Sequence, residues 1–427
     1  LASLTPAMKA FNHTKLYQAD LKSQQADFIM SFDVGELAGG PIGMVIGAEY
    51  NHLSFDQQND PASNQFIIAG TAGGDNVSAE RTRKSAFFEI GLPFTEKLEL
   101  SLAGRSDSYS SKGIGGNFSP QITFAYRPLD WILLRGTYGE GFRVAAMTQL
   151  YGEQSESYPE AVDTTQCNTL GNCGIQQFQT FYGGNPDLKP ELSDHWTYGV
   201  VLAPLPELTI QLGFWHTEFT DLISTSTIQR ELNAEWAGQT NYVVRCGAGD
   251  ACAPGSVKYI SLQVNNFAGV ESEGLDMNIS YVIDTEKLGR FDFGLDAAKY
   301  TKYIVQAFPE SPKIEYQGDS GLPSLRLNPH MYWGKGDWSM ALTGYYISGH
   351  GDDDIGGDFS NTVGSHFELG LQLSYNLPWN GSITVGANNL LNEGPETLLN
   401  SGGWEPFDWS LYDSRGRMVY FSYRQSL

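Results

Sequence analysis

The connections between candidate strands constrain this chain most, because they are so unequal. Between Leu129 and Trp215 three stretches read as strands: Asp130–Gly139, Ser193–Ala203 and Glu207–Trp215. Each is about ten residues long, roughly what a tilted strand needs to cross the hydrocarbon core of a bilayer. A long polar insert holding Cys167 and Cys173 joins the first two, whereas only Pro204, Leu205 and Pro206 join the second and third. A soluble sandwich carries moderate loops at both ends. A transmembrane barrel carries short turns on one side and long loops on the other.

The same inequality runs along the whole chain. Gln25–Val34 and Pro41–Tyr50 flank the short GELAGG, and the second puts Ile42, Met44 and Ile46 opposite Gly43, Val45 and Gly47. A period of two with one apolar side is the signature of a strand. It is clearest where Phe367, Leu369, Leu371, Leu373 and Tyr375 alternate with Glu368, Gly370, Gln372, Ser374 and Asn376. The residues up to Gln25, the stretch His52–Lys84 and the stretch from Trp215 to Gly269 read as polar connections. The count by this period is about fifteen strands. With the last strand, through Val419, Phe421 and Tyr423, descending to the periplasm, every short turn falls inside and every longer loop outside. The expected fold is all-β, an antiparallel transmembrane β-barrel.

Composition agrees. Hydrophobic residues make up 41% and mean hydropathy is −0.29, and no run approaches the roughly 20 apolar residues of a membrane helix. A helical membrane protein is therefore excluded; a barrel is not, because alternation hides its lipid face from a hydropathy window. A net charge of −23 argues against nucleic acid as a partner. It fits solvated loops, or cations bridging to anionic outer-membrane lipid.

The strings RGTYGEGFRVAAMTQLY and NPDLKPELSDHWTYGV, with GVESEGLDMNISY and GANNLLNEGPE further on, resemble the TonB-dependent outer-membrane receptors. The first is similar to their arginine-rich strand and GFRxP-type motif, with Val144–Ala145–Ala146 where members usually carry Ala-Pro. The resemblance spans almost the whole chain. It implies active uptake of a scarce solute (iron chelate, cobalamin or oligosaccharide) across the outer membrane of a Gram-negative bacterium. The alternatives are an adhesin or scaffold barrel, or a passive porin. Barrels of this transporter type have about 22 strands and a plugged lumen. Residues 1–427 are thus expected to be the carboxy-terminal portion of one barrel domain, with plug and first strands outside this chain. Implied partners are TonB with ExbB and ExbD, acting through the plug; the barrel-assembly machinery, reading the end GRMVYFSYRQSL; and an extracellular small molecule. That end departs from the family in Leu427, where an aromatic is usual, and in Gln425.

Several residues are candidates for chemistry. Four cysteines allow three pairings; the short spacings favour Cys167–Cys173 and Cys246–Cys252, each closing a small outer loop in an oxidising compartment. Arg135 and Arg143 flank GTYGEG, read as a turn, and alternation turns Arg135 toward the lumen. Each is either an ion-pair partner or a contact to an anionic ligand. Tyr151, Trp236, Tyr242, Trp404, Trp409 and Tyr412 fall in outer loops, where aromatics stack on a sugar or flat chelate or simply pack. Asp352–Asp353–Asp354 with Asp358 can hold calcium through oxygen but lack the regular spacing of a calcium loop. None of the seven histidines stands in a hydrolase or zinc-protease context, so neither enzyme activity, metal nor cofactor is expected.

Overall fold

A computed structural model describes residues 13–65, 67–68, 74–152, 154–239, 242–319, 321–351, 362–397 and 407–426. They build a 19-stranded sheet, in which four short loop strands join fifteen long ones. The long strands are β1 (Tyr17–Leu37), β2 (Gly40–Asn59), β3 (Val77–Thr95), β4 (Leu98–Tyr109), β5 (Gly116–Leu129), β6 (Ile132–Arg143), β7 (Glu191–Leu205) and β8 (Leu208–Thr225). They continue as β9 (Val257–Thr285), β10 (Gly289–Gln306), β11 (Leu325–Lys335), β12 (Trp338–Ile347), β13 (His366–Leu377), β14 (Gly381–Asn388) and β15 (Met418–Gln425). Each pairs antiparallel with the next. Among the described residues no helix is long and apolar enough to cross a membrane.

The turns at one end of the wall are tight: 38–39, 96–97, 130–131, 206–207, 286–288, 336–337 and 378–380. At the other end lie 110–115 and the long connections 60–76, 144–190, 226–256, 307–324, 348–365 and 389–417. Backbone geometry fixes some turn residues. Gly289 opens β10 at φ +86°, and a Cβ there would stand 2.3 Å from the Gly334 carbonyl oxygen, so only glycine fits both demands.

Register sorts the side chains into two faces. Met340, Leu373, Val385 and Phe421 are direct partners across β12–β15, as are Ser339, Ser374, Thr384 and Ser422 on the opposite face. Ser374 Oγ and Thr384 Oγ1 lie 2.9 Å apart. Leu371 and Leu373 thus share the apolar face and Gln372 and Ser374 the polar one.

Several strand boundaries differ from those that alternation predicts. Tyr17–Gln25 is strand, not loop; β2 runs on to Asn59 and β3 starts at Val77, inside the supposed connection His52–Lys84. Likewise β8 continues past Trp215 to Thr225, and β9 begins at Val257, ahead of Gly269. GTYGEG is not a turn but the middle of β6. For the misplaced strand ends the reason is the same. β9 has 29 residues, far more than the 9–11 that cross a bilayer. The outer part of such a hairpin stands in water, where both faces are polar and the alternation that betrays a strand disappears.

Candidate solute-binding site

On the polar face at mid-wall, one row runs through direct partners from β6 to β11: Arg135, Gly199, Gly213, Asp276, Ala298 and Arg326. The adjacent row holds Gln211, Asn278, Asp296 and Asn328. These residues, with three threonines and Trp215, line a cavity of about 650 Å³. Arg135 Nη2 donates to Gln211 Oε1 at 3.4 Å, and Asn278 Nδ2 donates to Asp296 Oδ1 at 2.5 Å. Among the described residues Arg135, Arg326, Asp276 and Asp296 have no ion-pair partner. Arg83 and Arg105, on the same face of β3 and β4, share Glu49 and the buried Asp107.

A second structure stands above the wall. The two cysteine-bearing connections, expected as separate loops, fold together. The helix Thr164–Leu170 packs against the helix Ile228–Trp236. Ala161, Phe178, Ile228, Leu232, Ile260 and Leu262 form a buried core between them. Thr180–Gly183 pairs in parallel with the outer end of β9, and Val243–Arg245 pairs with it on the antiparallel side. Arg245 locks the assembly: its Nη2 donates to Asp163 Oδ1 at 2.9 Å and to Glu235 Oε2 at 2.6 Å. Asp163, wholly buried, also caps its helix by accepting from the Gln166 backbone N–H at 3.2 Å. Burial alone would raise the Asp163 carboxyl, but Arg245 and the Gln166 N–H outweigh it and hold it below the ordinary carboxylate range. Both cysteine pairs are bonded as expected, with Cα separations of 4.4 Å for Cys167–Cys173 and 6.0 Å for Cys246–Cys252.

The NPDLKPE segment anchors this subdomain to the wall. Asn185 Nδ2 donates to the Val264 carbonyl at 3.0 Å. Leu188 fills a core with Ile114, Ala145 and Leu150. Glu191, buried at the start of β7, accepts two hydrogen bonds from the Arg143 guanidinium. The same carboxylate takes the Ile223 N–H at 2.8 Å. The two strings RGTYGEGFRVAAMTQLY and NPDLKPELSDHWTYGV thus anchor the two ends of the longest loop to the wall.

The remaining candidates are dispersed. Arg143 is committed to Glu191. Tyr151 packs on the Leu150 and Leu188 core. Trp236 ends its helix half exposed, not in an irregular loop, and Tyr242 is half buried, its carbonyl accepting from the Ser261 N–H at 2.9 Å. Trp409 is exposed and packs on Phe407. Tyr412 is buried with Ile347, Phe407 and Leu411, its hydroxyl 3.0 Å from His350 Nε2. Burial, with the nearby Glu396 and Asp408 charges, pushes its hydroxyl up to about 12. Trp404 and the Asp352–Asp354 and Asp358 acids lie outside the described residues. Arg135 alone reaches the lumenal cavity. Its companions Asp276, Asn278, Arg326 and Asn328 each alternate with apolar neighbours along the chain, but only register shows that they meet.

Among the described residues one cluster has metal-ligand character: ligand atoms of His216, Glu271 and Glu273 lie within 4.8 Å of one another. Lys302 Nζ already bridges its two carboxylates at 2.9 and 2.8 Å.

Comparison with known proteins places these features. A family described as TonB dependent receptor-like, beta-barrel, matches residues 4–390. A hemin receptor of Yersinia pestis is 28% identical over 137 residues, 29% of this chain and 19% of that protein. The probable TonB-dependent siderophore receptor PirA of Acinetobacter baumannii is 28% identical over 158 residues, 36% of this chain and 19% of the relative. Among solved structures, the ferric enterobactin receptor PfeA of Pseudomonas aeruginosa superposes with a TM-score of 0.66 at 17% identity, over 96% of this chain and 54% of that one. The siderophore receptor PirA of Acinetobacter baumannii gives 0.67 at 16% identity, over 96% and 55%; both show the fold. The chain spans about half of these solved chains and a smaller share of the curated relatives. With its family match running from residue 4 to 390 and its wall of antiparallel strands, the chain belongs to the β-barrel family of TonB-dependent receptors, proteins of the outer membrane.

Proposed function

We propose that this chain supplies the wall and outer loops of a receptor that takes up an iron chelate by TonB-dependent transport. The observation that carries the reading is the family match over residues 4–390, joined to relatives named as hemin and siderophore receptors. Neither cobalamin nor an oligosaccharide has comparable support. The energy argument is general: a passive pore equilibrates a scarce solute, and only coupled transport concentrates it. TonB, with ExbB and ExbD, would pull on a plug held in the lumen. Trp236 and Trp409, exposed aromatics on the outer face, would meet the chelate first, and Arg135 would meet it in the lumen.

The wall also bears on the extent of the barrel. Among the described residues β1 pairs only with β2, and β15 only with β14. Unpaired backbone groups cannot stand in lipid, so further strands of the same protein would close the sheet. Expressed alone, residues 1–427 should fail to give the compact, heat-modifiable gel band that the full-length protein gives. A compact band from the fragment would refute that part of the reading.

The direct test is accumulation of iron-59 chelates by cells carrying the full-length protein, with and without a protonophore. Accumulation should collapse when the proton-motive force is lost. Accumulation that persists makes the protein a passive pore, and binding without any accumulation makes it an adhesin or scaffold.

A further inference from the structure

The mid-wall cavity has a composition that selects a ligand. We infer that it is a lumenal way station for a polar chelate of little or no net charge, such as a ferric trihydroxamate, on its way through the barrel. This rests on the uptake reading above.

Three observations converge. The first is shape. Between Arg135 on β6 and Arg326 on β11, the row is floored by Gly199, Gly213 and Ala298. The missing side chains open a trough between the two arginines. Strands about 4.8 Å apart put the two arginines roughly 24 Å from each other along the sheet, so the trough is long and both ends are basic. The second is charge. Arg135, Arg326, Asp276 and Asp296 sum to zero, and among the described residues none is ion-paired. The lumenal Arg83 and Arg105, by contrast, are neutralised in place by Glu49 and Asp107. Among the described residues Arg135 and Asp296 are hydrogen-bonded to the neutral Gln211 and Asn278, so their charges stay uncompensated and can meet those of a guest. A trianionic chelate would gain two guanidinium contacts but face two carboxylates in the middle of the trough, a like-charge juxtaposition that discriminates against it. The third is hydrogen-bonding capacity: Gln211, Asn278 and Asn328 offer donors and acceptors together, which suits a neutral guest rich in carbonyl and hydroxamate oxygens. The apolar hemin macrocycle would leave these groups unpaired, at a cost.

The experiment uses the full-length receptor in cells and three iron-59 probes: a neutral ferric trihydroxamate, a trianionic ferric tris-catecholate and hemin. Gly213→Phe fills the trough without touching a charge. A Cβ at Gly213 meets nothing within 4 Å, so this variant has room to fold. Arg135→Gln with Arg326→Gln empties the two ends, and Arg135→Lys with Arg326→Lys restores their charge. The Phe variant and the Gln pair should each reach the outer membrane at the wild-type level, read by surface immunoblot, and lose at least tenfold of trihydroxamate accumulation. The Lys pair should recover most of it. Unchanged accumulation in the Phe variant and the Gln pair overturns the proposal. Wild-type accumulation of the catecholate or of hemin, but not of the trihydroxamate, also overturns it while leaving the uptake reading intact. Entry of the bulky antibiotic vancomycin into the variants assigns the trough to holding the plug, and overturns the proposal too. If the wild type accumulates none of the probes, the uptake reading fails for them. The trough is then judged by iron anomalous scattering in crystals of the full-length protein soaked with the trihydroxamate. A peak between Arg135 and Arg326 supports it, and an empty trough sinks it.

Discussion

The wall and the disulfide-stapled outer subdomain solve opposite solvent problems. Along the wall, the apolar face carries exposed side chains such as Phe28, Leu134, Leu212, Leu373 and Phe421. Strands there are held by backbone ladders, and their apolar face is covered by lipid, not by protein. Buried hydrophobic residues concentrate instead in the outer connections and the outer strand ends they pack on: Leu150, Leu188, Leu232, Ile260, Leu262 and Ile347 are at or below 1% exposure. A loop in water has no lipid to cover it, so it stays ordered only by building a core of its own. The subdomain does so with two helices, a short sheet, two disulfides and the Arg245 lock. The two regions should therefore fail independently.

The sharpest way to break this comparison is Arg245→Met. It leaves Asp163 buried without its partner, and truncating one side of a buried pair costs about 3–5 kcal/mol. Amide exchange should rise across residues 160–183 and 226–262 while the wall keeps its heat-modifiable mobility. Loss of both together would mean that the subdomain is part of the barrel's folding unit.

The mirror experiment strikes the wall. Leu371→Arg puts a charge on the lipid face, at about 2–4 kcal/mol near mid-bilayer. Gln372→Arg, one residue on and facing the lumen, should cost much less. Urea titrations of the full-length protein folded into vesicles measure both. Equal costs at the two positions would reject the assigned faces.

What the sequence revealed follows the same division. The faces around Leu371 were legible because each crossing strand repeats a period of two, and the lipid enforces it at every outward position. The wall's fold class came from that local rule and from the unequal connections. The subdomain obeys no local rule. Arg245 meets Asp163 across 82 positions, Thr180–Gly183 pairs with β9 in parallel, and nothing in the intervening residues announces either contact. The lumenal trough lies between these cases. Asp276 and Arg326 were identifiable as polar members of alternations, but a row across six strands depends on register, which single strands do not encode.

A smaller effect is expected from the disulfides. Each closes a loop of six residues' separation, for which chain entropy gives roughly 2 kcal/mol. Cys246→Ser with Cys252→Ser should loosen the Val243–Val257 hairpin, read as faster trypsin cleavage there, and leave the helix pair and the wall protected.

The smallest expected effect is that of acid, and it separates the two regions without any mutation. The folded Asp163 carboxyl is held below its ordinary range by Arg245 and the Gln166 N–H. A depressed folded value means that its contribution to stability is fully present at neutral pH. It begins to fade below the unfolded value of about 3.9 and is lost as pH falls through the folded one. The wall strands are held chiefly by backbone ladders, which carry no titratable group. Pepsin is active in this window, so it serves as the probe. Cleavage within residues 160–183 should be slow near pH 4 and faster near pH 2, while the wall strands stay resistant at both. Asp163→Asn removes the titrating group, and its cleavage rate, corrected for pepsin's own activity, should no longer change across that interval. If the wild type and the Asn variant respond alike, another carboxylate governs the acid response. If wall and subdomain are cut together, the independence argued from their separate cores is wrong.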